Sequence, residues 1–213
     1  GNNYRGKGGG VSIVDSDPVF TNVEIMDNYA GKYGGGVWIL HSSPAFTNFT
    51  ISGNSGYGNF QRGGGVSCEG TPNATFINGK IMDNFGPHVG GGIAVRGTQA
   101  PGDTIFHVEL TDVLIQNNAC RGAGGGISGS NISLSGCTIK ENNATYYGGG
   151  IYTEYFFSDG EISFSPTNRC NIYSNTVEDS SEVGNDIGIS VDYYGIPLSF
   201  MDVILDTFTV LTP

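Results

Sequence analysis

A chain of 213 residues with 9 Lys+Arg against 20 Asp+Glu and a formal net charge of −11 is the size of one domain. Its long-range field argues against a nucleic-acid backbone or an anionic membrane as a general partner, and no apolar run in it is long enough to span a bilayer. Its 36 glycines arrive in register between short β-branched and aromatic runs, which excludes the composition of a disordered chain.

The first unit shows the pattern. A triple glycine at Gly8 leads into Val11 and Ile13, alternating with Ser12 and Val14, and a turn at Asp15-Ser16-Asp17-Pro18 follows. Proline, lacking an N–H, suits that corner. A second apolar stretch, Phe20 through Ile25, runs to Asn28, and a loop returns to the next glycines. Period-two alternation between turn signals marks half-buried strands. Triple glycine followed by Val or Ile recurs at Gly34, Gly63, Gly90, Gly124 and Gly148, with a weaker form at Gly184-Asn185-Asp186-Ile187. Before each later block stands an Ile with Asn three residues on: Ile25/Asn28, Ile51/Asn54, Ile81/Asn84, Ile115/Asn118, Ile139/Asn142 and Ile172/Asn175. Successive blocks are 26, 29, 27, 34, 24 and 36 residues apart, the range of a solenoid rung with loops of varying length.

Strands that recur at this spacing without hairpin signals pair with their own equivalents one unit later, in parallel. The expected fold is all-β: a right-handed single-stranded parallel β-helix of about seven rungs with a C-terminal cap, roughly 34 Å long at about 4.8 Å per rung. Overlaying the units predicts inward columns: Val11, Val37, Val66, Ile93, Ile127 and Ile151; Phe20, Phe46, Phe76, Leu110 and Leu134; and the Ile of each Ile/Asn pair. The Asn amides are expected to bond to the turn and to one another across rungs. The glycines are expected to supply positive φ or a close backbone approach. No GK[ST] follows any block, so a phosphate loop is not the reading.

The pairing of GGG[IV] with IxxN resembles the repeats of the chlamydial polymorphic outer membrane proteins, where GGA[ILV] and FxxN alternate. The likeness covers residues 1 to 190, with Gly in place of Ala and Ile in place of Phe. It implies a β-helix displayed at the cell surface as an exported passenger, often in adhesion. Acidity, low Lys content and abundant Thr, Ser, Asn and Gly also suit a bacterial protein that is secreted or held at the outer cell surface. The chain opens in mid-unit, Asn2-Asn3-Tyr4 lining up with Asp27-Asn28-Tyr29, and is read as part of a longer chain with flanking domains. Residues 1–190 form the repeats; 191–213, aromatic and aliphatic without a further IxxN, are read as a last rung and cap or a joint to a following domain, because an open solenoid end needs cover.

Cys137 and Cys170 fall in the column of Val23, Phe49, Gly79 and Val113 on adjacent rungs, within disulfide reach, and buried free thiols in contact are the preferred reading. Cys68 is assigned to the core and Cys120 to a loop, alone. No Cys/His spacing supports a metal site, and no cofactor is implied; calcium stays open without a motif for it.

Function must reside in outward columns and loops. Arg5, Lys7, Lys32, Arg62, His88 and Arg121 lie just ahead of the glycine blocks, at one corner of successive rungs, accompanied by Tyr4, Tyr29, Tyr33, Tyr57, Phe60, Phe85, Tyr146 and Tyr147. On an acidic rod this strip suits an extended glycan or other cell-surface ligand, rings stacking on sugar faces and cations meeting carboxylate or sulfate. The same residues also serve as cover for the glycine corner by their apolar stems. Trp38 is predicted to point outward, exposed beside Val14, Leu40 and His41, and Glu69 to form an exposed ion pair with Arg96 one rung away. The ligand-binding candidates are therefore Arg5, Lys32, Tyr33, Trp38, Arg62, His88, Arg121 and Tyr147. Asp27, Asp83 and Glu141 share a corner but are interrupted by Gly53 and Asn117, which favours turn formation over a glycosidase pair. The preferred expectation is a non-catalytic surface module that binds glycans or adheres. A carbohydrate-active lyase, glycosidase or esterase working in a surface groove is the alternative, and a plain spacer is the third reading.

Overall fold

A computed structural model describes residues 6–57, 62–97, 106–154, 162–179 and 184–190. They form a parallel β-helix of three sheets. The sheet after the glycine blocks has seven strands, Val11–Val14, Val37–Leu40, Val66–Gly70, Ile93–Gly97, Ile127–Gly129, Ile151–Glu154 and Ile187–Ser190. A second sheet opens with Val19–Met26, Ala45–Ser52, Thr75–Met82 and Val108–Gln116; in the next two rungs it splits into Ile132–Ser135 with Thr138–Lys140, and Ile162–Phe164 with Asn171–Tyr173. Two-residue strands, from Tyr29–Ala30 to Thr176–Val177, make the third. Tyr4, Arg5, Phe60 and the expected cap at 191–213 lie outside the described residues.

The inward columns follow the sequence register. Val11 pairs with Val37, then Val66, Ile93, Ile127, Ile151 and Ile187. Phe20, Phe46 and Phe76 stack with centroids 4.6 and 5.1 Å apart, and Leu110, Leu134 and Phe164 continue their column. Residues 20, 23 and 25 all face the core, which strict alternation does not allow. The second-sheet strands resolve this by bending: Asn22, Asn48, Asn78 and Asp112 take φ of 52–55° and drop out of the pairing. Asn tolerates that conformation better than most residues. In the column beside the bend, Phe49 packs edge-on against Phe46 and Phe76, and a Cβ on Gly79 would sit 2.3 Å from its ring. Gly79 is the space that the Phe49 ring fills.

Each glycine block works by three different constraints. In the block at Gly90, the first glycine has φ of 66°; a Cβ on Gly91 would lie 2.4 Å from Gly125 O; one on Gly92 would press on Gly126 O and the Asn118 amide. Packed against the third glycine of each block runs the Asn ladder. From Asn28 to Asn142, each Asn sends its backbone N–H and Nδ2 to the Oδ1 of the Asn one rung on. From Asn54 onward, Nδ2 also bonds the Ile carbonyl one rung back. Among the described residues the ladder's last acceptor is Asp186, which accepts from both Asn175 N and Nδ2 and stands where the seventh block would have its third glycine.

The acidic corner is a turn: Asp27, Gly53, Asp83, Asn117, Glu141 and Ser174 all have φ of 54–64°. All four cysteines are free and buried. Cys68 is in the core as expected, whereas Cys120 is not in a loop: it belongs to the strand Ala119–Cys120, faces inward between Gly86 and Ala144, and is 2% exposed. Its neighbours on either side, Gly86 and Ala144, are small, and a lone Cys between loops in sequence gave no sign of the inward position.

A cation and aromatic corner around Glu69

The segments ahead of the glycine blocks do not stand in solvent as separate loops. Lys7, Tyr33, Arg62, Val89, Ala123 and Tyr147 pair in parallel from rung to rung, one strand position wide. Their side chains reach over the outward face of the first sheet: Lys7 Nζ lies 4.2 Å from the Trp38 ring, and the Tyr147 and Tyr152 rings stack at 5.8 Å. As a result the outward column Trp38, Ser67, Ala94, Ser128, Tyr152 is buried, with Trp38 7% exposed. The expectation of an exposed tryptophan platform is thus corrected. Trp38 does point away from the coil axis, but the fold-back covers it.

Beneath this cover Glu69 is the hub. Its Oε2 accepts from Trp38 Nε1 at 3.3 Å, and its Oε1 lies 3.5 Å from Arg62 Nη1. The expected register with Arg96 holds, but the carboxylate is only 14% exposed and its ion pair is with Arg62 rather than an exposed pair across the rung. Lys7 and Arg62 flank the Tyr33 ring, 5.3 and 5.9 Å from its centroid. Burial raises the Glu69 carboxyl above its ordinary range, against the opposing pull of the Trp38 hydrogen bond and of the Lys7 and Lys32 charges. Among the described residues, Glu69 Oε1 and the neighbouring Ser67 Oγ are buried without a hydrogen-bond partner.

Of the sequence candidates, the structure brings Lys32, Tyr33, Trp38 and Arg62 together, with Lys7, around Glu69. Further along the axis, Arg121 sits 5.7 Å from the Phe85 ring, and His88 and Tyr147 follow the same corner without joining the Glu69 cluster. Lys7, Lys32, His88 and Arg121 are exposed; Tyr33, Arg62 and Tyr147 are half-buried. Sequence reasoning missed Glu69 as the centre. The available signal was that the fold-back places residue 62 over the strand it precedes, so Arg62 and Glu69, seven positions apart, meet. Among the described residues, no group of three His, Cys, Asp or Glu is placed to hold a metal ion.

No protein-family model matches this chain. No curated protein matches it either. A solved structure of QnrB1 (trypsin-treated variant), a plasmid-mediated fluoroquinolone resistance protein, aligns over 87% of this chain and 93% of that one. The identity is 14% and the TM-score 0.17, too low to bear on fold or function.

Proposed function

We propose that this chain is a non-catalytic, extracellular β-helix module of the kind found on bacterial surfaces, and that it binds acidic glycans along the pre-glycine corner. The observation that carries this reading is local charge inversion. On a chain of net charge −11, Lys7, Lys32 and Arg62 gather around a single carboxylate with Tyr33 beside them. Cations held on aromatic faces lose little rotamer freedom when a sulfate or uronate arrives, and a half-exposed ring offers a face for a sugar. Exposed Arg121 and His88 extend the strip toward later rungs, so a chain-like ligand fits it better than a compact one. Adhesion and surface display rest on the composition and on the resemblance to the chlamydial repeats.

The alternative is an enzyme in which Glu69, its carboxyl raised by burial, acts as a proton donor on a polysaccharide. A glycosidase requires a second carboxylate about 5–9.5 Å away. The cross-rung neighbours of Glu69 in its own column are Leu40 and Arg96, neither of them a carboxylate, and this favours binding.

The test is retention of the full chain on sulfated and uronate-rich polysaccharides with neutral ones as control, alongside an assay for new chain ends. Retention that falls at least tenfold in the Tyr33→Ala/Arg62→Ala double variant and weakens with salt supports the proposal. Unchanged retention by that variant overturns the site, and release of chain ends overturns the non-catalytic reading.

A further inference from the structure

Cys137 and Cys170 form a cross-rung thiol pair, and we infer that they are a site of oxidative modification: a peroxide converts them into a disulfide that clasps the fifth rung to the sixth. Thr138 pairs with Asn171, and Asn171 N donates to Cys137 O, so the two cysteines, one position earlier on each strand, face each other. Parallel neighbours lie about 4.8 Å apart, inside the Cα range of natural disulfides. The side chains are within hydrogen-bond reach of each other. Neither Cys68, between Ile39 and Val95, nor Cys120, between Gly86 and Ala144, has a cysteine neighbour. The fold therefore permits one intramolecular bond and no other.

The two sulfurs differ in a way that orders the steps. Cys137 is fully enclosed, its Sγ 3.4 Å from Leu110 O and 3.5 Å from Ser135 O, and burial together with its bond to Cys170 holds its proton firmly. Cys170 is 5% exposed and accepts from the Cys137 thiol and from backbone N–H groups of Cys137 and Gly136, which draw its pKa down. Cys170 is thus the sulfur that meets the oxidant, because it is the one of the pair that solvent reaches, and its lowered pKa favours its reaction. Its sulfur attacks one peroxide oxygen, the O–O bond breaks, and hydroxide leaves, giving a sulfenic acid at Cys170. The Cys137 sulfur then attacks the Cys170 sulfur, losing its proton as the S–O bond breaks, and water departs. Two thiols and one hydrogen peroxide become one disulfide and two waters.

The bond would close a loop of 34 residues between positions 137 and 170 and restrict the unfolded chain accordingly, raising Tm by about 5–10 °C. The test treats the full chain with stoichiometric hydrogen peroxide and follows intact mass, peptide mapping and Tm. The expected result is loss of about 2 Da, a Cys137–Cys170 cross-linked peptide, and a Tm rise reversed by a thiol reductant. In Cys137→Ser the sulfenic acid at Cys170 is left without its partner and is trapped by dimedone. Wild-type protein that retains four free thiols, or that links Cys68 or Cys120 instead, overturns the inference without recourse to any variant.

Discussion

At the scale of single residues, the buried Asn side chains are the costliest to lose. Asn118 is fully buried; its Oδ1 accepts two bonds from Asn84, and its Nδ2 donates to Ile81 O and Asn142 Oδ1. Asn118→Ala strands the Asn84 N–H and the Ile81 carbonyl without water to replace the partner, a loss of about 3–5 kcal/mol. Asn28→Ala, at a half-buried position, costs about 1 kcal/mol; urea denaturation of the two variants tests the difference. Glu69 gives a pH dependence of known sign. A carboxyl whose folded pKa is raised binds protons more tightly folded than unfolded, so its contribution is present at acid pH and is lost as pH rises through the raised folded value. Glu69→Gln keeps an acceptor for Trp38 and removes the buried charge. The variant matches the wild type in acid and is the more stable of the two near neutrality, and denaturation at both pH values checks this. A wild type that gains stability relative to the variant on going from acid to neutral pH would show that the surrounding cations outweigh burial.

At the scale of strands, columns rather than individual residues are the unit of packing. Phe49 and Gly79 occupy one column on adjacent rungs and share one space. Gly79→Ala forces a Cβ into the Phe49 ring, and Phe49→Val leaves a void between Phe46 and Phe76; each costs about 2–3 kcal/mol. In the double variant the new Cβ fills part of the void. Its destabilisation falls short of the sum of the singles by about 1 kcal/mol or more, measured as a double-mutant cycle. This column also shows what the sequence made legible. Overlaying the glycine blocks placed Val23, Phe49, Gly79, Val113, Cys137 and Cys170 together because identical rungs enforce their own register. It gave no warning of the bend at Asn22, Asn48 and Asn78, since an αL residue inside a strand leaves no period of its own. Nor did it show that Trp38 is covered, because the covering ladder from Lys7 to Tyr147 is one residue wide and has no alternation to read. The fold was thus written in repeats. The Glu69 site depends on where a non-repeating segment folds back, and no column of the overlay contains that.

At the scale of the molecule, a β-helix is a one-dimensional stack in which each rung touches only its neighbours, so stability is distributed along the axis rather than held at one centre. The first described rung differs from those that follow. Val11, Phe20 and Val23 are only half-buried, while Val37 and Phe46 in the second rung, and Val66 and Phe76 in the third, are fully enclosed. Val19, on its outward side, is 74% exposed. Amides over the half-buried Val11, Phe20 and Val23 lie under less apolar cover than those of the enclosed rungs, and therefore exchange through a cheaper fluctuation. Hydrogen exchange followed by mass spectrometry is expected to show peptides from Val11–Met26 exchanging at least tenfold faster than those from Val37–Ser52 and Val66–Met82. The Asn ladder runs through all these rungs and could instead tie them into one cooperative unit, in which case all three regions would exchange together at the global rate. A gradient would mean that the ladder adds to each interface separately; a single rate would mean that its polarised chain of amides couples rungs beyond their nearest neighbours.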